Sequence, residues 1–357
     1  MTQAKTAEKK KRRFPGKGGP SGKGPAPAAP GSAPPEMPRV SRWVRLKRWA
    51  RSVVSHPRLL GKYVVRLLTY LILLDLAYVF LYPFLYMIVT SLKTNADLYD
   101  PTVNWIPHTL KFANYTLAYH AIDFSQNIWN SVIYTVFGTL GHVLSCAFIG
   151  YGFARYEFRG KKLLFGILLL AIIIPPQAMI VPSYLMYSNM GLLNTYLPVI
   201  LPTLFGFGLR GGLFVFIFRQ FFQSLPKELE EAARIDGCGF MKTYVRIVLP
   251  ISKAVLLVTL VLSMVWHWND YYEPQLYASR PGMEPLPVAL QTLIPLLESP
   301  AAISDLIQKT GLVDMEAVVN NAVFMAATFM CILPILVIYA FLQKQFMQGV
   351  ERTGLVE

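Results

Sequence analysis

Long apolar segments set the main constraint on how this chain folds. A helix needs about 20 mostly apolar residues to cross a bilayer. Six such segments are present: 67–92, 128–153, 163–187, 197–218, 251–271 and 322–342. Of the 357 residues, 54% are hydrophobic and only 15% are charged, a balance that soluble proteins of this size seldom show. The pattern predicts an all-α polytopic membrane protein with six transmembrane helices within residues 63–357.

Basic residues are concentrated on one side of this topology. Residues 1–66 hold 17 Lys and Arg against 2 Asp and Glu, and the second–third connection, 155–162, holds 4 basic residues against 1 acidic. The opposite connections, 93–127 and 270–321, hold 2 bases each against 3 and 7 acids. Short basic loops remain in the cytoplasm. The distribution therefore predicts a plasma-membrane protein with both termini, and the fourth–fifth connection, in the cytoplasm.

The N-terminal segment differs from the rest of the chain. Residues 1–38 are rich in Lys, Gly, Pro and Ala, and they offer too little apolar surface to offset the entropy cost of ordering. They are predicted to be disordered. Residues 39–62 combine Trp and Val at helical spacing with Arg on other faces, which predicts a basic amphipathic helix at the lipid headgroups. The basic run can contact nucleic acid or anionic lipid, but a topology signal is favoured, and no nucleic-acid partner is expected.

Two of the apolar segments contain residues that disrupt helices. The third contains Pro175, Pro176 and Pro182. Proline removes a backbone donor, so this helix is predicted to kink where protein or water can satisfy the freed carbonyls. The fourth contains four glycines within 206–212, which permit close backbone approach and predict a locally broken helix.

The connection 222–250 has the pattern of a helix–glycine–helix element. Pro226 suits a first helical turn, acidic residues follow it, and Gly237 can end the helix in a left-handed cap. A second short helix is predicted from Phe240 to Pro250. Five residues could form one apolar face of the first helix: Leu225, Leu229, Ala232, Ala233 and Ile235. An element of this kind can fit a groove on a partner.

The same connection resembles the EAA loop of binding-protein-dependent ABC importer permeases. The resemblance rests on Glu231-Ala232-Ala233, Asp236-Gly237 and Leu249-Pro250 at the matching distance. In that family the coupling helix of this loop docks into a cleft on the ATP-hydrolysing subunit. The resemblance implies that five residues couple this chain to an ATPase: Glu231, Ala232, Ala233, Asp236 and Gly237.

Further segments are similar to the carbohydrate (maltose-type, MalG-like) branch of these permeases, over about residues 65–357. They are Trp129-Asn130-Ser131, the stretch 150–160, Pro175, Pro182, the stretch 191–195 and Trp268-Asn269. Two features depart from the branch. The basic tail of residues 1–60 is extra, and residues 354–357 replace a common Gly-x-x-Lys-Gly ending.

The resemblance implies a transport subunit rather than an enzyme. Gly22-Lys23 lacks the other residues of a phosphate loop, so ATP and Mg²⁺ would be bound by a partner ATPase dimer. The other implied partners are a second permease subunit, an extracytoplasmic solute-binding protein, membrane lipid and a sugar substrate. Two alternatives stay open, a permease for a non-sugar solute and an ion-driven secondary transporter. A membrane-bound enzyme is less favoured, because no nucleophile–base constellation is visible.

Polar and aromatic residues within the spans are candidates for the substrate path. Asp75 and Arg210 lie inside apolar segments, where charges are costly. They are predicted to pair, or Arg210 borders the translocation path, or each lies near a span end. Trp268, Asn269 and Tyr271 suit a sugar ring, although tryptophan and tyrosine also form interfacial belts. The three cysteines are scattered, and neither a metal site nor a disulfide is predicted.

Overall fold

The computed structural model describes most of the predicted membrane domain: residues 57–208, 210–298 and 320–352, with Trp43, Ser304 and Gln308. The predicted disordered segment 1–38, most of the predicted interfacial helix 39–62 and the C-terminal residues 354–357 lie outside the described residues. The chain forms two compact units, Met1–Leu74 and Asp75–Glu357.

The described ranges contain helices and no β-strand. In chain order the α-helices are α1 (Pro57–Ser91), α2 (Asn95–Tyr99), α3 (Ala113–Ala121), α4 (Phe124–Arg155), α5 (Lys161–Ile173), α6 (Ile180–Asn189), α7 (Leu197–Ile200), α8 (Gly211–Ser224), α9 (Glu228–Ile235), α10 (Phe240–Thr243), α11 (Leu249–Ile251), α12 (Lys253–Asn269), α13 (Tyr272–Tyr277), α14 (Leu286–Glu298) and α15 (Asn321–Arg352). A 3-10 helix, Pro176–Met179, precedes α6, and another, Leu201–Phe205, extends α7. A π-helix, Tyr244–Val248, joins α10 to α11.

Helix α1 has 35 residues. At 1.5 Å per residue it is about 52 Å long, more than the hydrocarbon thickness of a bilayer. Its side chains are exposed from residue 61 to residue 86, although most of them are apolar. The Thr69 hydroxyl donates to the carbonyl of Val65 at 2.9 Å, so this polar group is satisfied within the helix.

Three helical segments are long and apolar enough to cross a membrane: Gly61–Ser91, Phe124–Arg155 and Asn321–Gly349. Two bent pairs bring the number to five if each pair is one span: Lys161–Ile173 with Pro176–Asn189, and Phe240–Ile251 with Lys253–Asn269. The all-helical membrane architecture agrees with the prediction. The described residues support three to five spans, so the count of six stays a prediction.

The predicted kink in the third apolar segment is confirmed. Helix α5 and the segment Pro176–Asn189 are bent by 102°. The α-helical ladder of α5 stops at Ile173, where the Ile174 N–H still donates to the carbonyl of Leu170 at 3.2 Å. Pro175 and Pro176 cannot continue that ladder because they have no N–H.

The predicted break in the fourth segment is also confirmed, and side chains of α4 satisfy the carbonyls around it. The regular structure stops at Phe205 and resumes at Gly211. The Ser145 hydroxyl donates to the Thr203 carbonyl at 2.6 Å, and the Cys146 thiol lies 3.5 Å from the Gly211 carbonyl. Because these carbonyls have polar partners, the break can lie inside an apolar domain.

Helix α4 is the centre of the packed domain. It lies against α8 and α12, and α12 packs in turn on α15. One apolar cluster forms between α4 and α8, and its largest buried side chains are Tyr151, Phe214, Phe218 and Phe222. A second cluster joins α3, α12, α14 and α15, and it includes Leu117, Trp268, Leu286 and Ala326. Gly150 permits the close contact of α4 with α8, since a Cβ there would lie 2.6 Å from the Cβ of Phe218.

Candidate coupling site and substrate path

Helix α9 is a short, sharply terminated helix. Its first turn carries Glu228, Glu230 and Glu231, whose negative charge complements the positive end of the helix dipole. At its other end the Cys238 N–H donates to the Ala233 carbonyl at 2.9 Å, and the Gly237 N–H donates to the Arg234 carbonyl at 3.0 Å. This pair of hydrogen bonds is a Schellman cap, and Gly237 adopts the required left-handed conformation with φ of 76°. The helix and its glycine cap agree with the sequence prediction.

The second short helix also begins where the sequence predicts, at Phe240. It continues through Pro250 to Ile251 as α10, the π-helix and α11. It then bends by 79° into α12. Pro250 lies near the start of α11, where its missing N–H costs little, so it does not end the helix.

The faces of α9 differ from the predicted apolar face. Ala233 is buried, but Leu229 is exposed and Ile235 is 87% exposed. The proposed coupling residues Glu231, Ala232, Asp236 and Gly237 are exposed as well. The apolar side chains therefore do not all pack against the chain's own core. Instead α9 presents an outward face on which Ile235 lies beside the exposed charged residues Glu231, Arg234 and Asp236.

Glu230, which was not among the predicted site residues, holds α9 to the end of α4. Its Oε1 lies 2.7 Å from Nε of Arg155, and the two side chains are only 9% and 5% exposed. The Tyr151 hydroxyl donates to the other carboxylate oxygen, Oε2, at 3.2 Å. A second arm of the guanidinium, Nη2, donates to the carbonyl of Leu225 at 2.8 Å. Arg155 thus joins α4, the end of α8 and α9.

Aromatic rings attach the second limb of the connection to the same part of α4. The Tyr151 ring stacks on Phe240 at 5.5 Å and on Tyr244 at 5.1 Å. Tyr156, the residue after α4, meets Phe240 edge to face at 5.1 Å. Such pairs contribute about 0.5–1.5 kcal/mol each beyond the area that they bury. Both limbs of the helix–glycine–helix element are therefore fixed to the C-terminal end of α4.

Arg210 lies at the break before α8, and its partner is aromatic. The residue has a positive φ of 61°, and its guanidinium lies 4.8 Å from the centre of the Trp266 ring. Asp75 is exposed on α1, and the two charges form no ion pair in the described part of the chain. The predicted Asp75–Arg210 pair is therefore corrected to a cation–π contact, which leaves Arg210 exposed beside the break.

The other predicted path residues separate into two groups. Trp268 is buried in the core, and its indole N–H donates to the Cys331 carbonyl at 3.0 Å. The ring packs in the cluster that joins α3, α12, α14 and α15, and the role of Trp268 in the path stays a prediction. Asn269 and Tyr271 are exposed at the end of α12, although the Asn269 amide donates to the Val265 carbonyl at 2.7 Å.

A buried polar chain crosses from the break to α12. His142 Nε2 lies 3.1 Å from the Phe207 carbonyl, and His267 Nδ1 lies 2.9 Å from the Ser263 carbonyl. A carbonyl only accepts, so both of these ring nitrogens carry a proton. The Ser263 hydroxyl, 3.5 Å from His142 Nδ1, can then donate to that nitrogen. His267 is thus a packed residue of α12.

The connection after α1 holds an ion pair outside the spans. Asp97 is buried, caps the start of α2 with Thr94, and lies 2.7 Å from Nδ1 of the exposed His108. Hydrogen bonds from His108 and Thr94 hold the pKa of the Asp97 carboxyl below its usual range, although burial opposes them. The same carboxylate raises the pKa of His108.

Metal-binding clusters of three or more His, Cys, Asp or Glu are absent from the part of the chain that the structure describes. Cys146 and Cys331 are buried and Cys238 is partly exposed, and all three are free thiols.

The sequence of this chain matches a known protein family and several characterised relatives. Residues 146–352, which include the helix–glycine–helix element, match the family described as binding-protein-dependent transport system inner membrane component. Protein LplC of Bacillus subtilis (strain 168) is 32% identical over 267 residues, which cover 75% of this chain and 86% of that protein.

Two further similarities extend over most of the chain. The arabinooligosaccharides transport system permease protein AraQ of Bacillus subtilis is 27% identical over 85% of this chain and 99% of its own length. A crystal structure of a bacterial ABC transporter involved in the import of the acidic polysaccharide alginate has a chain of the same fold. Its TM-score is 0.66 at 22% identity, with 87% of this chain and 100% of that chain covered. This chain therefore belongs to the family of binding-protein-dependent transport system inner membrane components.

Proposed function

We propose that this chain is a permease subunit of an ATP-driven ABC importer and that the imported solute is a sugar or oligosaccharide. The single observation that carries the proposal is the outward face of α9. This short helix is capped by Gly237, anchored to α4 at its inner face, and exposes Ile235 between Arg234 and Asp236. A small rigid projection with an apolar centre fits a groove on a partner protein.

The sugar assignment rests on the relatives. The names of AraQ and of the melibiose/raffinose/stachyose import permease protein MelC, which is 30% identical over 75% of this chain, both refer to oligosaccharides. Arg210 beside Trp266, with Asn269 and Tyr271 at the outer end of α12, gives this chain polar and aromatic groups suited to such a solute.

The proposed transport complex contains further subunits. Glu231, Ala232, Ala233, Asp236 and Gly237 form the coupling site for an ATPase dimer, which binds ATP and Mg²⁺. A second permease subunit completes the pathway, and an extracytoplasmic solute-binding protein delivers the sugar. The chain crosses the plasma membrane six times with both termini in the cytoplasm, so that α9 faces the ATPase. Closure of the ATPase dimer turns α9 as a rigid body and opens the pathway alternately to each side.

Affinity purification of the tagged chain from its host membrane tests the proposal. We expect an ATPase, a second permease and a solute-binding protein to co-purify, and we expect the binding protein to bind oligosaccharides in a ligand screen. A binding protein that takes peptides and no sugar would contradict the substrate assignment. A purified chain that moves solute without any ATPase would contradict the ABC assignment.

A further inference from the structure

We infer that the buried ion pair between Arg155 and Glu230 is the joint through which α9 and α4 move as one body. Arg155 and Glu230 are then positioning residues for energy coupling, acting through α9 rather than on the solute. The inference rests on the proposed function, in which α9 docks on an ATPase.

The geometry of the pair supports a rigid joint. Nε of Arg155 lies 2.7 Å from Oε1 of Glu230, and Nη2 of the same guanidinium donates to the Leu225 carbonyl at 2.8 Å. The first contact is a short approach of opposite charges and the second is a hydrogen bond, so one planar guanidinium holds both α9 and the end of α8. The Tyr151 hydroxyl occupies the second carboxylate oxygen. Three elements thereby meet at one point: α4 donates hydrogen bonds from Tyr151 to Glu230 and from Arg155 to the Leu225 carbonyl, and the ion pair adds a short charge–charge contact.

Helix α9 has little else to orient it. It has eight residues, and Glu230 and Ala233 are its buried side chains. Leu229 and Ile235, its larger apolar residues, are exposed. A helix with so little buried apolar surface gains little orientation from packing. The ion pair, together with the Tyr151 hydrogen bond, therefore holds α9 against α4.

Helix α4 connects this joint to the break beside Arg210. Along the same helix, His142, Ser145 and Cys146 contact carbonyls of residues 203–211. A helix of 32 residues spans about 48 Å at 1.5 Å per residue. A rotation that enters at Glu230 is thus carried by a continuous helix to the segment that borders the proposed path.

Buried ion pairs often add little net stability relative to apolar residues, whereas they fix orientation in some proteins. A purely stabilising role and a positioning role therefore predict different results. Removing a stabilising contact lowers the melting temperature and leaves the movement of α9 linked to α4. Removing a joint lets the two helices move separately within an assembled complex.

The test measures the distance between spin labels on α9 and on the corner after α4, at Arg234→Cys and Arg159→Cys, in a Cys238→Ser background. Both arginines are exposed, and neither belongs to the joint. The full complex in nanodiscs is compared before and after trapping with ATP and vanadate. With Arg155 and Glu230 intact we expect the same narrow distance in both states. In the Glu230→Gln variant we expect a shift of about 5 Å, close to one helical turn, or a loss of the narrow distribution.

The matched control is Glu157→Gln. Glu157 also pairs with a cation at this corner, Lys161 at 2.8 Å, but its side chain is 89% exposed. We expect this variant to keep the narrow, state-independent distance. An assembled Glu230→Gln complex that behaves like this control would overturn the inference.

If Glu230→Gln does not assemble, Arg155→Lys replaces it. Lysine keeps the charge but cannot bind Glu230 and the Leu225 carbonyl with one planar group. We expect the assembled Arg155→Lys complex to show the separated motion, and a wild-type distance would overturn the inference. Failure of the proposed function is a different result, because the wild-type chain would then co-purify without an ATPase.

Discussion

At the residue scale, Gly237 shows how one backbone conformation controls the shape of the proposed coupling site. Its φ of 76° is in the left-handed region, and nothing lies within 4 Å of the position that a Cβ would occupy. A side chain there would meet no neighbour, so any destabilisation must come from the backbone. The residue serves the cap that ends α9 and turns the chain toward α10.

We predict that Gly237→Val lowers stability and that Gly237→Asn has a much smaller effect. A left-handed conformation costs an ordinary residue about 1–2 kcal/mol, and a β-branched residue tolerates it least. Asparagine visits this conformation readily. Thermal unfolding of the purified complex measures both variants. Equal melting temperatures for the two would show that the cap does not require a left-handed residue.

The Asp97–His108 pair gives a pH-dependent prediction. The pair contributes to the free energy of unfolding at pH values between the lowered pKa of Asp97 and the raised pKa of His108. A raised folded-state pKa means that the His108 contribution is complete below its ordinary value of about 6.5 and is lost as pH rises through the folded value. Stability from Asp97 is lost as pH falls through its lowered pKa.

The variant His108→Gln tests that prediction. We expect the wild type to be more stable than the variant in mildly acidic buffer, and we expect the difference to shrink as pH rises. Thermal unfolding of both chains across a pH series measures the difference. A difference that stays constant, or that grows toward alkaline pH, would contradict the assigned pair.

At the element scale, the contact between α4 and α8 depends on one glycine. A Cβ on Gly150 would lie 2.6 Å from the Phe218 Cβ, 3.1 Å from the Arg219 N and 3.2 Å from the Val215 carbonyl oxygen. Two of these atoms belong to the backbone and cannot move alone. Gly152, on the same helix, has nothing within 4 Å.

We therefore predict opposite effects for two alanine substitutions in α4. Gly150→Ala must separate α4 from α8, and overpacking of this kind costs about 1–3 kcal/mol. Gly152→Ala gains helix propensity of roughly 0.5–1 kcal/mol. Thermal unfolding in detergent compares the two. A Gly150→Ala chain as stable as the Gly152→Ala chain would show that the helices are farther apart than described.

The elements also show what a single sequence can predict. The kink at Pro175 and Pro176 and the cap at Gly237 follow from local chemistry, because missing donors and left-handed backbone act where they occur. The bend of 102° at that kink does not follow, since packing sets it. The stretch 197–218 has the composition of a span, but its glycines divide it.

The site is less predictable because it depends on which side of a helix faces the protein. Three glutamates begin α9, and composition alone does not distinguish them. Glu230 is the buried one because it lies three residues before Ala233, on the same face of α9. Its partner Arg155 belongs to α4, so the contact forms only when α4 packs against α9. The burial of Trp268 was unpredictable for the same reason, since its indole N–H donates to a carbonyl of α15.

At the scale of the whole molecule, helix α4 connects the projecting helix α9 to the helix break before Arg210. The outward face of α9 ends at Gly237, its inner face is joined to α4, and α4 holds the carbonyls around the break before Arg210. None of these parts contains a nucleotide-binding motif in the sequence. The proposed function therefore requires an ATPase that docks on α9.

Site-specific cross-linking from Ile235 tests this claim most directly. Ile235→Cys is introduced in the Cys238→Ser background, where the remaining thiols, Cys146 and Cys331, are buried. Gln275→Cys, exposed on α13 at the opposite end of α12, is the matched control. We expect a short bismaleimide to join Ile235→Cys, and not Gln275→Cys, to the co-purified ATPase. The absence of that adduct, together with labelling of Ile235→Cys by a membrane-impermeant maleimide added outside intact cells, would contradict it.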